Sequence, residues 1–301
     1  QRQMCIRDRF MIKVSNMSKY YADYPAVLDV SFSIKAGETI GLLGPNGAGK
    51  STTMKVLTGF TPPTQGSVSI GDFDIIKNSF EARKLLGYLP ESVPLYLDMT
   101  VTDYLVFMAK IRGMTESVNK RVKEVIEITS LGEYRNTIIG KLSKGYRQRT
   151  GISQAIIHNP KVLVLDEPTI GIDPVQVVET RNLIKSLEGE HTLILSSHIL
   201  PEVTSICKRI LVIHEGRIVA DDTPENLSKR LQSTKVCEIE VSDSNKMDII
   251  KLFRNEPFVI DIRSKPSTNT SSNTFVIETS TKESVEQIIA KLVIDNNLGL
   301  R

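Results

Sequence analysis

The chain has 301 residues, of which 40% are hydrophobic, so it is long enough for two domains with a sizeable core. Its 38 basic and 35 acidic residues leave a net charge of +3, which gives no electrostatic reason to expect a nucleic-acid partner or binding to an anionic membrane surface. No apolar stretch approaches the ~20 residues that a membrane-spanning helix needs. Cys5, Cys207 and Cys237 lack the spacing of metal ligands, which fits a reducing compartment such as the cytoplasm.

The first ten residues have no apolar periodicity, and we expect the native chain to start at Met11. From there to about residue 220, short β-rich runs alternate with helical stretches, which predicts an α/β core. The expected strands span residues 12–14, 30–34, 39–43, 68–70, 85–88, 162–166, 192–196 and 210–213. Turn signals at Gly66, Gly71 and Glu215 with Gly216 predict hairpins, so that antiparallel strands join a mainly parallel sheet.

A glycine-rich loop follows the predicted strand at 39–43 and precedes a helix-compatible stretch that begins at Thr52. The loop consists of Gly44, Pro45, Asn46, Gly47, Ala48, Gly49, Lys50 and Ser51. Its glycines let successive backbone N–H groups turn around a polyphosphate, and the following helix presents its positive end to the same charge. We expect Lys50 to reach the β- and γ-phosphates through a solvent-filled site and Ser51 to ligate Mg²⁺. The alternative is a glycine-rich turn that matches this P-loop pattern by chance.

Between about residues 92 and 157 the strand pattern disappears, and Tyr104, Leu105, Met108 and Ile111 recur at helical spacing. This pattern predicts a helical subdomain inserted in the α/β core. Aromatic and methionine side chains at such spacing are most often core residues, so we assign them no ligand role.

An acidic pair, Asp166 and Glu167, ends the apolar run at 162–165. A P-loop needs such a Walker B strand, whose aspartate orients Mg²⁺ while a following glutamate polarises the hydrolytic water. The alternative role of the two carboxylates is to cap a helix that starts near Pro168. An apolar strand that ends in two acids is seldom explained by capping alone.

After Thr223 and Pro224 the composition becomes more polar before a new alternating pattern begins. We expect a strand at 236–241, a helix at 246–254, strands at 258–262 and 274–278, and a helix at 282–294. This order resembles a ferredoxin-like α+β module that lacks its last strand, so we expect a truncated C-terminus and an unpaired sheet edge. The prediction is a P-loop domain at 11–228 and an accessory domain at 231–301, which has no phosphate-binding loop and is expected to regulate or support dimerisation.

The octapeptide at 142–149, Leu-Ser-Lys-Gly-Tyr-Arg-Gln-Arg, resembles the signature motif of ATP-binding cassette (ABC) ATPases, which usually reads LSGGQ. Lys144 and Tyr146 depart from that motif, whereas Ser143 and Gly145 match it. The resemblance implies that Ser143 and Gly145 contact the ATP that a second subunit binds. A serine and exposed N–H groups at a helix start do form an anion site, although a simple capped helix gives the same pattern.

Three further positions match the motifs of this family in their usual order. Tyr21 lies where the family stacks an aromatic ring on adenine, although Tyr20 and Tyr24 compete for this role. Asp173 matches the loop that communicates across the dimer. His198 matches the histidine that hydrogen-bonds the γ-phosphate.

One position departs from the family, which usually has glutamine where this chain has Glu91. The carboxylate still offers an oxygen to Mg²⁺ but adds negative charge near the phosphates. The resemblance thus implies Ser51, Glu91 and Asp166 as metal ligands, and Glu167 and His198 as catalytic residues.

The resemblance covers about residues 11–228 and implies a mixed-sheet P-loop NTPase core with a helical subdomain near 92–157. Within the family the chain looks most like the ATPase subunits of ABC-2 type exporters, the gliding-motility and drug or sodium export group. Such an ATPase uses ATP and Mg²⁺, forms a homodimer or heterodimer, and works at the cytoplasmic face of the cell membrane below a separate multi-span permease.

Two other functions compete with transport. A soluble cassette ATPase that remodels ribosomes or DNA-repair complexes resembles the same core, but ribosomal members usually carry two cassettes and a basic linker, and neither is visible here. A non-catalytic, nucleotide-gated regulator would be expected to lack Glu167 or His198, and both are present.

Overall fold

The computed structural model describes residues 10–232, 234–242, 246–254, 256–265, 272–280, 285–296 and 299–300. The expectation that residues before Met11 are foreign concerns mostly residues 1–9, which lie outside this described part. The described chain forms two compact units that divide between Pro224 and Glu225. None of its described helices has the length and apolar character of a membrane span.

The first unit alternates strands and helices as the sequence predicts. Its strands are β1 (Phe10–Tyr21), β2 (Tyr24–Lys35), β3 (Thr39–Leu43), β4 (Gln65–Ile70), β5 (Phe73–Asp74), β6 (Leu86–Leu89), β7 (Val162–Asp166), β8 (Thr192–Ser197), β9 (Arg209–His214) and β10 (Arg217–Asp222). Its α-helices are α1 (Lys50–Leu57), α2 (Ser79–Lys84), α3 (Val101–Ile111), α4 (Val118–Ile128), α5 (Lys144–Ile156), α6 (Pro174–Ser186) and α7 (Leu200–Ile206).

A six-stranded sheet with the order β10-β9-β3-β8-β7-β6 forms the centre of this unit. Its strands are parallel except for β10, which pairs antiparallel with β9. Strands β7 and β8 are buried along their whole length, as expected of apolar parallel strands covered on both faces. The carboxyl ends of β3, β8, β7 and β6 lie side by side, so the loops that follow them meet at one edge of the sheet.

The expectation that antiparallel strands join the parallel sheet is confirmed for β10, which follows the turn at Glu215 and Gly216. It is wrong for β1, β2, β4 and β5, which form a separate antiparallel sheet. Gly66, predicted to form a hairpin, lies inside β4 with φ of +79°. A Cβ atom at Gly66 would lie 2.3 Å from the carbonyl oxygen of Asn16, so glycine permits the close approach of β4 to β1. Side chains from both sheets and from α1 share one hydrophobic core, which includes Ile12, Met54 and Ile194.

The region at 92–157 contains α3, α4 and α5 and no strand, as predicted. Tyr104 and Leu105 are buried as core residues, in agreement with their helical spacing. Ile111 is not a core residue, because 60% of its surface is exposed at the end of α3.

The second unit begins with helix α8 (Pro224–Gln232), within which both predicted domain limits, residues 228 and 231, fall. Its further elements are β11 (Thr234–Ser242), α9 (Lys246–Arg254), β12 (Val259–Lys265), β13 (Ser272–Ser280), α10 (Val285–Asp295) and β14 (Gly299–Leu300). The strands form an antiparallel sheet with the order β12-β13-β11-β14. Both helices contribute to its core, with Phe253 from α9 and Val293 from α10.

The two-residue strand β14 lies at the position where the last strand of the module is expected. Gly299 and Leu300 pair with Ser242 and Val241 of β11, so this end of the β11 edge is covered. The sequence pattern could not predict the strand, because two residues are too few to display an alternation.

Candidate nucleotide-binding site

The P-loop connects β3 to α1 at the carboxyl edge of the central sheet. Gly49 precedes α1 with φ of +105°, and a Cβ atom there would lie 2.6 Å from the carbonyl oxygen of Ala26. Only glycine fits this position. Because Gly49 offers no side-chain cap, the N–H groups in the first turn of α1 are available to an anion.

The side chain of Lys50 is buried, which corrects the expectation that it reaches through a solvent-filled site. Its Nζ donates to the carbonyl oxygens of Gly44 at 2.8 Å and Pro45 at 3.2 Å. The same Nζ lies 3.2 Å from Oε1 of Glu167. The three donors of the ammonium group thus face three acceptors within the protein.

The acidic pair at the end of β7 is held by the neighbouring strand β8. Ser196 Oγ donates to Asp166 Oδ1 at 2.6 Å and accepts the backbone N–H of Glu167 at 2.9 Å. Glu167 has φ of +47°, an uncommon conformation for a residue other than glycine, and the Ser196 hydroxyl stabilises it. Burial raises the pKa of Asp166, against the opposing effect of hydrogen bonds from Ser196 and Ser51.

His198 follows β8 and contacts the second oxygen of Glu167, with Nδ1 3.0 Å from Oε2. An ionised carboxylate only accepts hydrogen bonds, so Nδ1 is the donor in this contact. Each carboxylate oxygen of Glu167 therefore has its own partner: Lys50 contacts Oε1 and His198 contacts Oε2.

A cavity of about 410 Å³ lies beside the P-loop. The residues that line it are Tyr21, Tyr24, Ala26, Asn46, Gly47, Gly49, Lys50, Ser51, Thr52, Glu91, Glu167 and Ile170. Tyr21 and Tyr24 are cross-strand partners on either side of a two-residue turn, whereas Tyr20 lies outside this lining. The structure thus favours Tyr21 and Tyr24 over Tyr20 as aromatic neighbours of a ligand.

The remaining P-loop residues lie outside this cavity. Pro45 and Ala48 line an adjacent cavity of about 570 Å³, which Tyr24, Asn46 and Gly47 also border. Gly44 lies outside both linings, where a Cβ atom would clash with the backbone of Ile213 at 2.3 Å.

Ser143, Gly145 and Asp173 form a separate cluster, and none of them lies among the described residues that line the 410 Å³ cavity. Ser143 precedes α5 and Asp173 caps α6, where its carboxylate accepts the N–H of Gln176 at 3.0 Å. Gln176 Nε2 also donates to Ser143 Oγ at 3.4 Å. A Cβ atom at Gly145 would lie 1.5 Å from the side-chain oxygen of Gln176, so the glycine makes room for this amide.

Comparisons with known proteins identify the family of this chain. Residues 27–170 match the family model described as ABC transporter. The chain is 36% identical over 261 residues to the linearmycin resistance ATP-binding protein LnrL of Bacillus subtilis (strain 168), which covers 86% of this chain and 81% of the relative. This chain belongs to the ABC transporter ATPase family. It is therefore an ATP-binding and ATP-hydrolysing subunit.

Two further similarities place the chain within the ABC family. The bacitracin transport ATP-binding protein BcrA of Bacillus licheniformis is 36% identical over 242 residues, which cover 80% of this chain and 78% of the relative. A dimeric structure of a bacterial ABC transporter cassette superposes with a TM-score of 0.66 at 25% identity, covering 71% of this chain and 99% of that chain. The latter match confirms the ABC cassette fold of the first unit.

The oxygen donors beside the ABC P-loop fit Mg²⁺. Ser51 Oγ lies 3.3 Å from Asp166 Oδ1, and Glu91 lines the same cavity as Ser51. Among the described residues no group of three His, Cys, Asp or Glu side chains could hold a metal alone. Mg²⁺ seldom uses such a cage, because it retains waters and binds one or two carboxylates together with substrate phosphates.

Sequence reasoning missed Ser196 and Gln176, which organise the two parts of this ABC site. The Ser196–Ser197–His198 run was visible, but the contact of Ser196 with Asp166 depends on the parallel pairing of β7 with β8. No sequence signal distinguishes Gln176 from other polar residues of a helix first turn.

Proposed function

We propose that this ABC ATPase works as a dimer that encloses two ATP molecules, with the signature residues of each subunit completing the P-loop site of the other. The observation that carries this proposal is the separation of the Ser143–Gly145–Asp173 cluster from the cavity beside Lys50 in the same chain. An anion site at the start of α5 can contact the phosphates of an ATP molecule that the P-loop of a second subunit binds. The dimeric state of the similar bacterial cassette supports the same arrangement.

In this proposal the P-loop binds the triphosphate, and the aromatic side chains of Tyr21 and Tyr24 contact the base. Glu167 accepts a proton from the water that attacks the γ-phosphorus, while the bond to the β-phosphate oxygen breaks to release ADP and phosphate. His198 orients the Glu167 carboxylate through its 3.0 Å contact and is close enough to sense the γ-phosphate.

Ser51 and Asp166 would hold Mg²⁺, and Glu91 would contribute an oxygen from the cavity wall. When bound, Mg²⁺ would neutralise negative charge on the phosphate oxygens. Hydrogen bonds from Ser196 and Ser51 orient the Asp166 carboxylate and oppose the effect of burial, which raises the pKa of Asp166.

The groove next to Glu91 is our candidate for docking a separate multi-span permease. It has a volume of about 550 Å³, and Pro94, Leu95, Lys144 and Gln148 are among its lining residues. Glu91 lines both this groove and the cavity beside the P-loop. A movement of Glu91 caused by the γ-phosphate would therefore change the wall of the groove directly. Tyr96, 56% exposed, extends the apolar surface beside it.

We infer that the transported substrate is exported. The names of two relatives describe linearmycin resistance and bacitracin transport, and neither describes ribosome or DNA-repair work. We therefore favour an ABC-2 type exporter, with this chain as a peripheral subunit at the cytoplasmic face of the membrane, over a soluble remodelling ATPase.

A mixed dimer tests action across the interface. Ser143→Arg and Lys50→Ala should each abolish hydrolysis in homodimers, because both composite sites are defective. A heterodimer isolated with two different affinity tags contains one site with both defects and one site with neither. Recovery of hydrolysis supports completion by the partner, whereas its complete absence contradicts two sites that act independently.

The second unit is proposed to regulate or support dimerisation without forming part of the ATP site. The sequence of this unit contains no glycine-rich phosphate-binding loop. A chain that ends at Gln232 retains α8 and should bind ATP as the full chain does. Loss of all nucleotide binding in a folded protein of this length would contradict the proposal that the second unit is not part of the ATP site.

A further inference from the structure

Two consecutive serines at the end of β8 hold two different carboxylates. Ser196 contacts Asp166 and the backbone of Glu167, as described above. Ser197 Oγ instead donates to Glu202 Oε2 at 2.9 Å and accepts the N–H of Ile199 at 3.0 Å. The segment that carries His198 is thus fixed on both sides of the histidine.

Glu202, in the first turn of α7, also reaches the segment that follows Glu167. Its Oε2 accepts a hydrogen bond from Thr169 Oγ1 at 2.8 Å. A single carboxylate oxygen therefore joins the Ser197 hydroxyl to the Thr169 hydroxyl. All three side chains are buried, with 8% of Glu202, 7% of Thr169 and 1% of Ser197 exposed.

This bridge lies outside the nucleotide cavity, because none of its three residues is among those that line it. A buried carboxylate is tolerated when its oxygens are hydrogen-bonded, and hydrogen bonds to charged groups are stronger than those between neutral groups. The bridge therefore links residues 167–169 to residues 197–199 through buried hydrogen bonds. The 3.0 Å contact between Glu167 and His198 joins the same two segments.

We propose that Glu202 is a positioning residue for ATP hydrolysis, which holds His198 against Glu167 through Ser197 and Thr169. Glu202 does not touch the reacting atoms. The inference rests on the proposed roles of Glu167 and His198. It predicts that ATP turnover depends on the two hydrogen bonds that Glu202 Oε2 accepts, and not on the negative charge of Glu202.

Two substitutions separate geometry from charge. Glu202→Gln keeps an amide oxygen that can accept from both hydroxyls, whereas Glu202→Leu removes both hydrogen bonds at similar volume. In the full chain, Glu202→Leu should lower kcat by ~10-fold or more, the scale of a displaced base partner, with the ATP dissociation constant changed less than ~2-fold. Glu202→Gln should restore kcat to within ~3-fold of the native protein. Thr204→Val is the matched control, because it removes a hydroxyl of the same helix that donates to the carbonyl oxygen of Pro201.

A double-variant cycle with His198 distinguishes positioning from general support of the fold. In a His198→Ala background, Glu202→Leu should lower kcat by less than ~2-fold, because the side chain that it positions is gone. If Glu202→Leu fails to fold, Thr169→Val serves in its place, since it removes one hydroxyl with little change of shape.

The outcomes discriminate between the inference and the function on which it rests. Full kcat in a folded Glu202→Leu protein, an equal loss in Glu202→Gln, or an undiminished loss in the His198→Ala background would each overturn the positioning role. If His198→Ala and Glu167→Gln themselves leave kcat unchanged, the proposed catalytic roles fail first, and the positioning inference falls with them.

Discussion

Lys50 and Glu167, the P-loop lysine and the proposed base, form a buried ion pair with 3.2 Å between Nζ and Oε1. Their side chains are 5% and 6% exposed. The residue expected to bind phosphate and the residue expected to activate water are therefore in direct contact. If bound phosphate draws Lys50 away, Glu167 loses this partner. ATP binding is thereby linked to the contacts of the proposed base.

The ion pair predicts a stability effect of Lys50→Ala in addition to the loss of tight ATP binding. Removal of one partner leaves a buried charge uncompensated, which typically destabilises a protein by ~3 kcal/mol or more. The Lys50→Ala/Glu167→Gln double variant should regain part of that stability but not ATP binding. Urea unfolding and nucleotide titration measure the two effects, and equal stability of Lys50→Ala and the native protein would contradict the importance of the pair.

Glu167→Gln should keep ATP binding and slow hydrolysis by ~10² or more, because the positioned base is lost while the hydrogen-bond geometry is largely kept. The ATP-bound dimer should then accumulate. Gel filtration with ATP and Mg²⁺ detects it, and the same run with ADP is the control. A monomer that hydrolyses ATP at the native rate would remove Glu167 from the mechanism.

The motifs of the site could be predicted from the sequence because each is a local pattern. Lys50, Asp166 and His198 each lie at or after the carboxyl end of an apolar strand, and parallel strands place such residues at one edge of the sheet. The pairing of Lys50 with Glu167 could not be predicted. It depends on the insertion of β8 between β3 and β7 and on the positive φ of Glu167, and neither is encoded in a short segment.

In the fold, too, features set by a short segment could be predicted from the sequence, whereas pairings between distant segments could not. Strands β3 and β7 begin and end where the sequence predicts them. The antiparallel sheet instead depends on the pairing of β1 with β4, which are distant in sequence. The bridge from Glu202 to Ser197 and Thr169 is non-local as well. Side-chain contacts between separate loops follow from topology, which residue patterns alone do not specify.

The two tyrosines of the β1–β2 turn predict a shared effect on nucleotide affinity. Tyr21 and Tyr24 both line the cavity, so Tyr21→Ala and Tyr24→Ala should each weaken ATP binding by about 1 kcal/mol, the scale of an aromatic contact. Tyr20→Ala is the matched control, because Tyr20 precedes Tyr21 but lies outside the cavity lining. Fluorescence titration measures the three affinities, and an equal loss in Tyr20→Ala would argue against base stacking at this turn.

His158 is packed in the first unit, where its Nε2 lies 3.0 Å from the carbonyl oxygen of Leu86. Burial, reinforced by the positive charge of Arg112, lowers the pKa of His158 from 6.5 to about 4. Arg121 and His191 lower it further, while the contact with Leu86 opposes the shift. The folded protein therefore keeps this imidazole neutral at a pH where the unfolded chain protonates it.

The lowered pKa of His158 predicts that the free energy of unfolding falls as the pH drops from about 6.5 toward 4, since the unfolded chain then binds one more proton than the folded protein. After allowance for partial solvent screening, we expect His158 to account for about 1 to 2 kcal/mol of this loss. His158→Gln removes the titrating group and should flatten the dependence. Urea unfolding between pH 7 and 4.5 tests this, with His214→Gln, at an exposed histidine, as the control. An unchanged slope in His158→Gln would mean that other groups set the acid sensitivity of the fold.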